Sequence, residues 1–227
     1  MKTMYLLAAA CGLAGVNGQT TLTSGHLDLG VAFEEGALHL HIHDEENEAE
    51  YEPEDAILQV GAASLTLVPN DPRYAFLGAA GGPVHVLPQV ENPDLIFLGV
   101  GAEEVELGLF ENDEVSFSLR AVFGPGEFAA YSVDGFGTPT VHFNSRDGIG
   151  ATDRVLVQAG GHSDMNWAFS APGEYRVTFE AEGTLAGGGA LASGPIDFNF
   201  SVVPEPSTFA LLGFGGLALL AFARRRD

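Results

Sequence analysis

Apolar and polar residues alternate in short runs along the central part of the chain, between residues 19 and 203. His26–Phe33 places an apolar residue at every second position, and Leu38–His43 repeats the pattern after a turn at Glu34–Ala37. A period of two is typical of a strand with one buried face. The predicted strands are His26–Phe33, Leu38–His43, Ala56–Val60, Ser64–Val68, Val84–Leu87, Leu95–Val100, Glu104–Phe110, Glu114–Val122, Phe128–Val133, Thr140–Phe143, Arg154–Gln158, Asn166–Phe169, Glu174–Glu182 and Ile196–Val202.

Glycine and proline separate these runs, as in Gly124-Pro125-Gly126 and Ala171-Pro172-Gly173. No stretch of the central part has a convincing helical period. Many short strands with such turns predict an all-β fold, here an antiparallel β-sandwich of the immunoglobulin-like or jelly-roll-like kind. The 185 residues from 19 to 203 are enough for one domain with a real core or for two small sandwiches.

The pattern changes at the C-terminal end, where the apolar run Phe209–Ala223 is followed by Arg224, Arg225 and Arg226. A membrane span needs about 20 residues, and the small residues of this run favour a short inserted helix. We therefore predict one transmembrane helix. Arginines flanking a span stay on the cytoplasmic side, so everything before Pro204 would lie on the other side of the membrane.

The N-terminal end has the order of a signal peptide. Lys2 supplies the positive charge, an apolar centre follows, and small residues end at Gly18, after which we place the cleavage. In an alternative, Cys11 becomes a lipidated first residue, but the apolar segment before it is very short. With cleavage after Gly18 the exported part has no cysteine, so its core must hold it without disulfides. The predicted organisation is a signal peptide at 1–18, a surface domain at 19–203 and an anchor segment at 204–227.

The C-terminal segment resembles the PEP-CTERM sorting signal of Gram-negative bacteria. The resemblance rests on a Pro-Glu-Pro turn, an apolar run and a terminal arginine cluster, with the key positions Val203, Pro204, Glu205, Pro206, Ser207, Arg224, Arg225 and Arg226. It implies that an exosortase-type sorting enzyme and signal peptidase are partners. It also implies that the tail is a transient anchor, from which the protein passes to the cell surface or the extracellular matrix.

The central part is strongly acidic. Between residues 19 and 203 it has five arginines, no lysine and 29 acidic residues, and the whole chain has a formal net charge of -22. Such a chain repels phosphate backbones, which excludes nucleic acid as a partner. The acidity is compatible with solubility, salty surroundings or divalent cations, and it does not choose among them.

The central part also resembles the choice-of-anchor M domain and the related surface-anchored domain of actinobacteria. The motifs that carry the resemblance are Ser24-Gly25-His26-Leu27-Asp28, Gly82-Pro83-Val84-His85-Val86-Leu87-Pro88-Gln89, Gly124-Pro125-Gly126-Glu127-Phe128, Gly161-His162-Ser163-Asp164-Met165-Asn166-Trp167-Ala168-Phe169 and Pro172-Gly173-Glu174-Tyr175. In the family the fourth motif often has a second histidine where this chain has Asp164. The resemblance implies a surface location and no enzymatic activity.

The seven histidines carry the most informative chemistry. If Phe33 faces Leu38 in the first hairpin, one face of it collects His26, Asp28, His39, His41, His43 and Glu45. Imidazole with carboxylate suits zinc, copper or nickel. The Gly-His-x-Asp sequence occurs twice, which makes His26, Asp28, His162 and Asp164 the candidate metal ligands. The alternative is that these residues fill the solvated face of an amphipathic sheet.

Two other features have competing interpretations. Asp44–Asp55 is rich in carboxylates, which suits calcium, but it lacks the spacing of a calcium loop, and a solvated, mobile loop is the other interpretation. Trp167 is either a core anchor or a sugar-stacking platform. Since Cys11 is removed and no serine has a nucleophile-elbow context, we expect a non-enzymatic surface protein. The alternatives are a zinc- or copper-binding module and a carbohydrate-binding domain for exopolysaccharide.

Overall fold

The computed structural model describes residues 18–204, which consist of seventeen strands and four short 3-10 helices. The strands are β1 Thr20–Leu22, β2 Gly25–Glu34, β3 Ala37–Asp44, β4 Ala49–Tyr51, β5 Ala56–Val60, β6 Leu65–Leu67, β7 Pro83–Leu87, β8 Ile96–Gly101, β9 Glu114–Phe123, β10 Phe128–Val133, β11 Pro139–Asn144, β12 Arg154–Gln158, β13 His162–Asp164, β14 Asn166–Phe169, β15 Gly173–Thr184, β16 Ala190–Ala192 and β17 Ile196–Val202. The 3-10 helices are Pro53–Asp55, Ala62–Ser64, Pro72–Leu77 and Glu111–Asp113.

The all-β prediction is confirmed, and thirteen of the fourteen predicted strands coincide with observed ones. The exception is Glu104–Phe110, where the chain makes turns and only Phe110 forms an isolated bridge. The four strands that were not predicted, β1, β4, β13 and β16, have three residues each. Three residues are too few for a period of two to be recognised in the sequence.

Within residues 18–204 the strands form three sheets. The large sheet has the order β1-β5-β17-β15-β9-β12, with β16 paired to β15. The site sheet has the order β13-β8-β2-β3-β4, and the third sheet has the order β11-β10-β14-β7-β6. The prediction of purely antiparallel pairing is wrong, because β1 with β5, β5 with β17 and β2 with β8 are parallel. An alternating pattern specifies which face is buried but not the direction of the neighbouring strand.

One continuous apolar cluster joins the three sheets, so two separate small sandwiches are excluded. Trp167 lies fully buried in it, and its indole N–H donates a hydrogen bond of 2.8 Å to the carbonyl of Leu98 in the neighbouring sheet. The core-anchor interpretation of Trp167 is therefore confirmed, and this side chain offers no surface to a sugar. The hydrogen bond also fixes β8 against the third sheet, which positions the strand at the centre of the site.

The acidic run Asp44–Asp55 is solvated as predicted, since most of its carboxylates are exposed, and part of it forms regular structure. The Asp44 carboxylate accepts hydrogen bonds from the backbone N–H groups of Glu46 and Asn47 and from the Asn47 side chain. Strand β4 and the 3-10 helix Pro53–Asp55 follow. The local hydrogen bonds of Asp44 hold the turn, as aspartate commonly does.

Both predicted targeting segments lie outside the described residues. This holds for most of the signal peptide at 1–18, for the apolar run 209–223 and for the sorting-signal positions Glu205, Pro206, Ser207, Arg224, Arg225 and Arg226. Val203 is described, and its backbone N–H donates to the carbonyl of Val60. In the part of the chain that the structure covers, no helix has the length and apolar character needed to cross a membrane.

Candidate metal site

The first hairpin has the register that the sequence predicts, with Phe33 opposite Leu38 and Asp28 opposite His43. The apolar positions of β2 and β3, such as Leu27, Leu29 and Ile42, are fully buried in the main core. The alternate positions therefore project from the other face of the site sheet. We call this the polar face.

Strand β8 brings the two Gly-His-x-Asp sequences together. It pairs in parallel with β2 and antiparallel with β13, so that Asp28 and Asp164 lie on either side of Gly99. His162 is opposite Gly101, the next residue of β8 on the same face. The repeat that the sequence shows at two distant places is therefore one structural unit, with a strand between its halves.

Three glycines, Gly30, Gly99 and Gly101, form the floor of this unit. A Cβ atom at Gly99 would overlap the Asp28 carboxylate and lie 2.9 Å from Asp164 Oδ1. A Cβ at Gly30 would overlap the His41 ring, and one at Gly101 would lie 3.3 Å from the Asp28 Cβ. Because these glycines have no side chains, the side chains of Asp28, Asp164 and His41 occupy the space above them on the polar face.

The first group of side chains in this space is His26, Asp28, His162 and Asp164, the four residues proposed from the sequence. His26 Nε2 lies 3.3 Å from Asp164 Oδ1 and 3.7 Å from Asp28 Oδ2, and His162 Nε2 lies 3.6 Å from Asp164 Oδ2. Ligands about 2.0–2.1 Å from a tetrahedral zinc ion are about 3.3 Å from one another. The ligand atoms of His26, His162 and Asp164 all lie within 4.8 Å of one another, and Asp28 lies within the same distance of His162 and Glu103.

Asp28 has the most unusual environment in the group. Only 1% of the residue is exposed, and neither carboxylate oxygen has a hydrogen-bond partner among the described residues. Burial raises the pKa of Asp28 to about 6, although the nearby His162 and His26 lower it. Three further buried atoms at the polar face lack hydrogen bonds within residues 18–204, namely His26 Nε2, Asp164 Oδ1 and Glu45 Oε1. Buried polar atoms without partners are costly and require an explanation.

A second group lies on the β3 side of the glycine floor. His41 Nε2 is 3.5 Å from Glu104 Oε1, and His43 Nδ1 is 3.8 Å from the same oxygen. His43 Nδ1 is also 3.8 Å from Glu45 Oε1. The ligand atoms of His41, His43 and Glu104 all lie within 4.8 Å of one another.

Glu103 and Glu104 come from the turn that follows β8, where the sequence predicted a strand that begins at Glu104. Ala102 and Val105 on either side of them are buried. The backbone N–H of Ala102 donates to Gly161, and the N–H of Gly160 donates back to Ala102. This pairing holds the turn beside His162 with both glutamates on the polar face.

Glu103 connects the two groups. Its carboxylate accepts a 2.9 Å hydrogen bond from His162 Nδ1, and this bond raises the pKa of His162. Partial burial alone would raise the pKa of Glu103, but hydrogen bonds with His162 and Glu45 lower it. Burial and the same contact with Glu103 raise the pKa of Glu45. Glu103 also lies within ligand distance of His43 and Glu45.

The polar face has excess negative charge. Five carboxylates, those of Asp28, Glu45, Glu103, Glu104 and Asp164, surround four imidazoles. Within residues 18–204, no arginine forms an ion pair with any of the five. The prediction that these residues fill a solvated face does not describe Asp28 and His41, which are buried.

The remaining histidines are not part of the site. His39 is on the polar face but exposed, beyond the two groups. His85 is within 3.1 Å of the Ser64 hydroxyl and His142 within 3.0 Å of the Ser132 hydroxyl, both in the third sheet region. The hairpin pattern already pointed to His41, His43 and Glu45, whereas nothing in the sequence pointed to Glu103 and Glu104.

Comparison with known proteins gives one finding for the C-terminal end. A model of the PEP-CTERM protein-sorting motif matches residues 202–226. Comparison with curated proteins and with solved structures yields no match. The motif begins at the last residue of β17 and covers the predicted anchor. It supports an exported protein that an exosortase recognises and sorts to the cell surface.

Proposed function

We propose that this exosortase-sorted surface protein binds a transition-metal ion, zinc or copper, through His26, Asp28, His162 and Asp164. The observation that carries the proposal is the Asp28 carboxylate, which is buried without a hydrogen bond from the rest of the described chain. A buried carboxylate without a hydrogen bond is expected to be neutral or to coordinate a metal. At the polar face a cation would satisfy both of its oxygens.

The ligand types favour a transition metal over calcium. Calcium takes six to eight oxygen ligands, whereas this group offers two imidazoles and two carboxylates, a set that suits four-coordinate zinc. Copper(II) binds such nitrogen and oxygen ligands more tightly still. The Glu103 hydrogen bond to His162 Nδ1 leaves Nε2 directed at Asp164. A carboxylate behind a ligand histidine in this way fixes the ring and strengthens the ligand.

We propose a binding role rather than a catalytic one for the domain. Ser64, whose hydroxyl lies beside His85, is only 3% exposed as a residue, so a substrate has no access to it. Trp167 is buried, which removes the aromatic platform that a carbohydrate-binding domain would use. The resemblance to the choice-of-anchor M domain is consistent with a display module whose ligand is held at the surface.

Calorimetric titration of the 227-residue chain, purified in mild detergent, tests the binding proposal. We expect zinc and copper(II) to bind more tightly than calcium, because imidazole ligands suit them. The His26→Ala/His162→Ala variant should lose the part of this binding that belongs to the proposed site. His39→Ala is the matched control, since it removes an exposed imidazole from the same sheet. Equal titration heats for the double variant and the wild type would refute the proposal.

The anchoring role of the tail has a separate test. Replacing Arg224, Arg225 and Arg226 by alanine removes the charges that keep the C-terminus cytoplasmic. We expect the protein to be retained in the membrane fraction or misplaced, as measured by fractionation and surface labelling. Unchanged surface display of this variant would contradict the proposed role of the arginine cluster.

A further inference from the structure

We infer that the polar face holds a second metal ion of the same class, bound by His41, His43 and Glu104. The inference rests on the proposed function, because the second group adjoins the first. It assigns a separate set of ligands on a different strand, β3, and on the turn after β8. The domain would therefore carry a pair of ions side by side.

The geometry of the second group resembles that of the first. The separations of 3.5 and 3.8 Å between the histidine nitrogens and Glu104 Oε1 are close to those of ligands around one zinc ion, about 3.3 Å. His41 and His43 are alternate residues of one strand, so their side chains project from the same face. The His41 side chain is only 10% exposed, and its ring lies over Gly30, where a side chain would exclude it.

A buried, unpartnered group points into the same space. A small pocket is lined by Asp28, Gly30, His41, His43 and Glu104, together with Val31, Gly101 and Glu103. Asp28 thus lies between the two groups, with both oxygens lacking hydrogen bonds within the described chain. One of the buried oxygens of Glu45 is unsatisfied in the same way. A single cation in the first group would leave His41, His43 and Glu104, on the β3 side of the pocket, without one.

Electrostatics favours two cations over one. The five carboxylates of the polar face carry five negative charges when they are ionised, and neutral imidazoles offset none of them. One divalent ion would leave an excess of three negative charges, and two would leave an excess of one. Glu103, which contacts His162 on one side and His43 and Glu45 on the other, is placed to link the two ions.

Metal counting on the 227-residue chain tests the inference. After equilibration with zinc at physiological salt and removal of free metal by gel filtration, we expect two zinc ions per chain. His41→Ala/His43→Ala should retain one ion, and His26→Ala/His162→Ala should also retain fewer than two. His39→Ala should retain two. Circular dichroism and thermal melting check that each variant is folded.

A second variant guards against misfolding of the double histidine variant. Gly30→Ala removes no ligand residue, but its Cβ would displace the His41 ring, and it should also lower the count from two to one. One ion per wild-type chain, unaffected by His41→Ala/His43→Ala and by Gly30→Ala, would overturn the second site and leave the proposed function intact. One ion that every variant except His39→Ala abolishes would mean a single shared site and would also overturn the inference. No retained zinc would overturn both proposals.

Discussion

The large sheet and the site sheet both carry clustered carboxylates, but different side chains compensate the negative charge on each sheet. On the large sheet, Arg120 forms 2.6 Å contacts with both Glu180 and Glu182, and Arg176 lies 3.3 Å from Asp197. On the polar face of the site sheet, histidines are the only side chains within the described chain that can offer these carboxylates a positive charge. Arginine carries a permanent positive charge that compensates a carboxylate. Imidazole is charged only when it is protonated, and in its neutral form it can bind a metal ion that compensates the carboxylate instead.

This comparison separates structural acids from candidate ligands. An acid paired with arginine has its charge compensated inside the protein, so it has no need of an ion. An acid beside histidine, buried and without a full set of hydrogen bonds, is stable in its charged form only when a cation is supplied. The two sheets therefore differ in what they require from solution, although their acidic composition is similar.

The largest expected effect comes from filling the glycine floor. Gly99→Ala removes no ligand, but its Cβ would displace the carboxylates of Asp28 and Asp164. We expect the zinc affinity of the first group to fall by about 10–100-fold, the size seen when the support of metal ligands is lost. Competition with a chromophoric chelator measures it. Gly135→Ala, where a Cβ meets no atom within 4 Å, is the matched control, and equal affinities for the two variants would contradict the site.

The second effect concerns the metal-free chain. The pKa of Asp28 is raised from 3.8 to about 6 by burial, so folding favours the protonated form. The stability that this protonation provides is complete below pH 4 and is lost as the pH rises through about 6. We expect Asp28→Asn to be more stable than the wild type above pH 6 by on the order of 3 kcal/mol, and to show no advantage below pH 4.

Urea unfolding in the presence of a chelator, measured at pH 4 and pH 7.5, tests this second prediction. Asp197→Asn serves as the comparison on the large sheet, because its carboxylate is half exposed and lies beside Arg176. A gain in stability for Asp28→Asn that is the same at both pH values would contradict the burial argument.

A smaller change in stability is expected when an ion pair of the large sheet is removed. Arg120→Ala removes a counter-charge that is about a third exposed, and such pairs contribute roughly 0.2–1 kcal/mol. The loss of stability should shrink in about 1 M salt, since surface charges are then screened. Zinc binding should be unchanged. A loss of zinc affinity in this variant would mean that the two acidic regions are not independent.

The smallest effect is expected at His39. Its imidazole is exposed at the edge of the polar face and belongs to neither ligand group. His39→Ala should change the stability by less than about 0.5 kcal/mol and leave the metal count unaltered. A clear drop in bound metal would mean that His39 is also a ligand, which would contradict the two ligand sets given above.

Much of the site could be predicted from the sequence because strand periodicity is local. The register of the first hairpin follows from a short turn at Glu35 and Gly36 and from the alternation on both sides of it. That was enough to place Asp28, His41 and His43 on one face. The repeated Gly-His-x-Asp sequence marked the two halves of the first group. Neither observation could say that the halves meet.

Glu103 and Glu104 could not be predicted, for a physical reason. Their run has the same alternation as a strand, but Ala102 and Val105 are anchored in the core by contacts with distant parts of the chain. The turn that results depends on hydrogen bonds between Ala102 and the Gly160–Gly161 segment. Pairing between segments so far apart in sequence has no local signature.

The sequence by itself determined the strand-rich class, the first hairpin and the sorting motif at the C-terminal end, because each depends on neighbouring residues. Only the tertiary structure decided that β2 and β13 flank β8, since a strand pattern carries no information about its distant partner. That pairing places Asp28 and Asp164 on either side of Gly99. It turns two separate short motifs into one cluster of ligands around a floor of glycines.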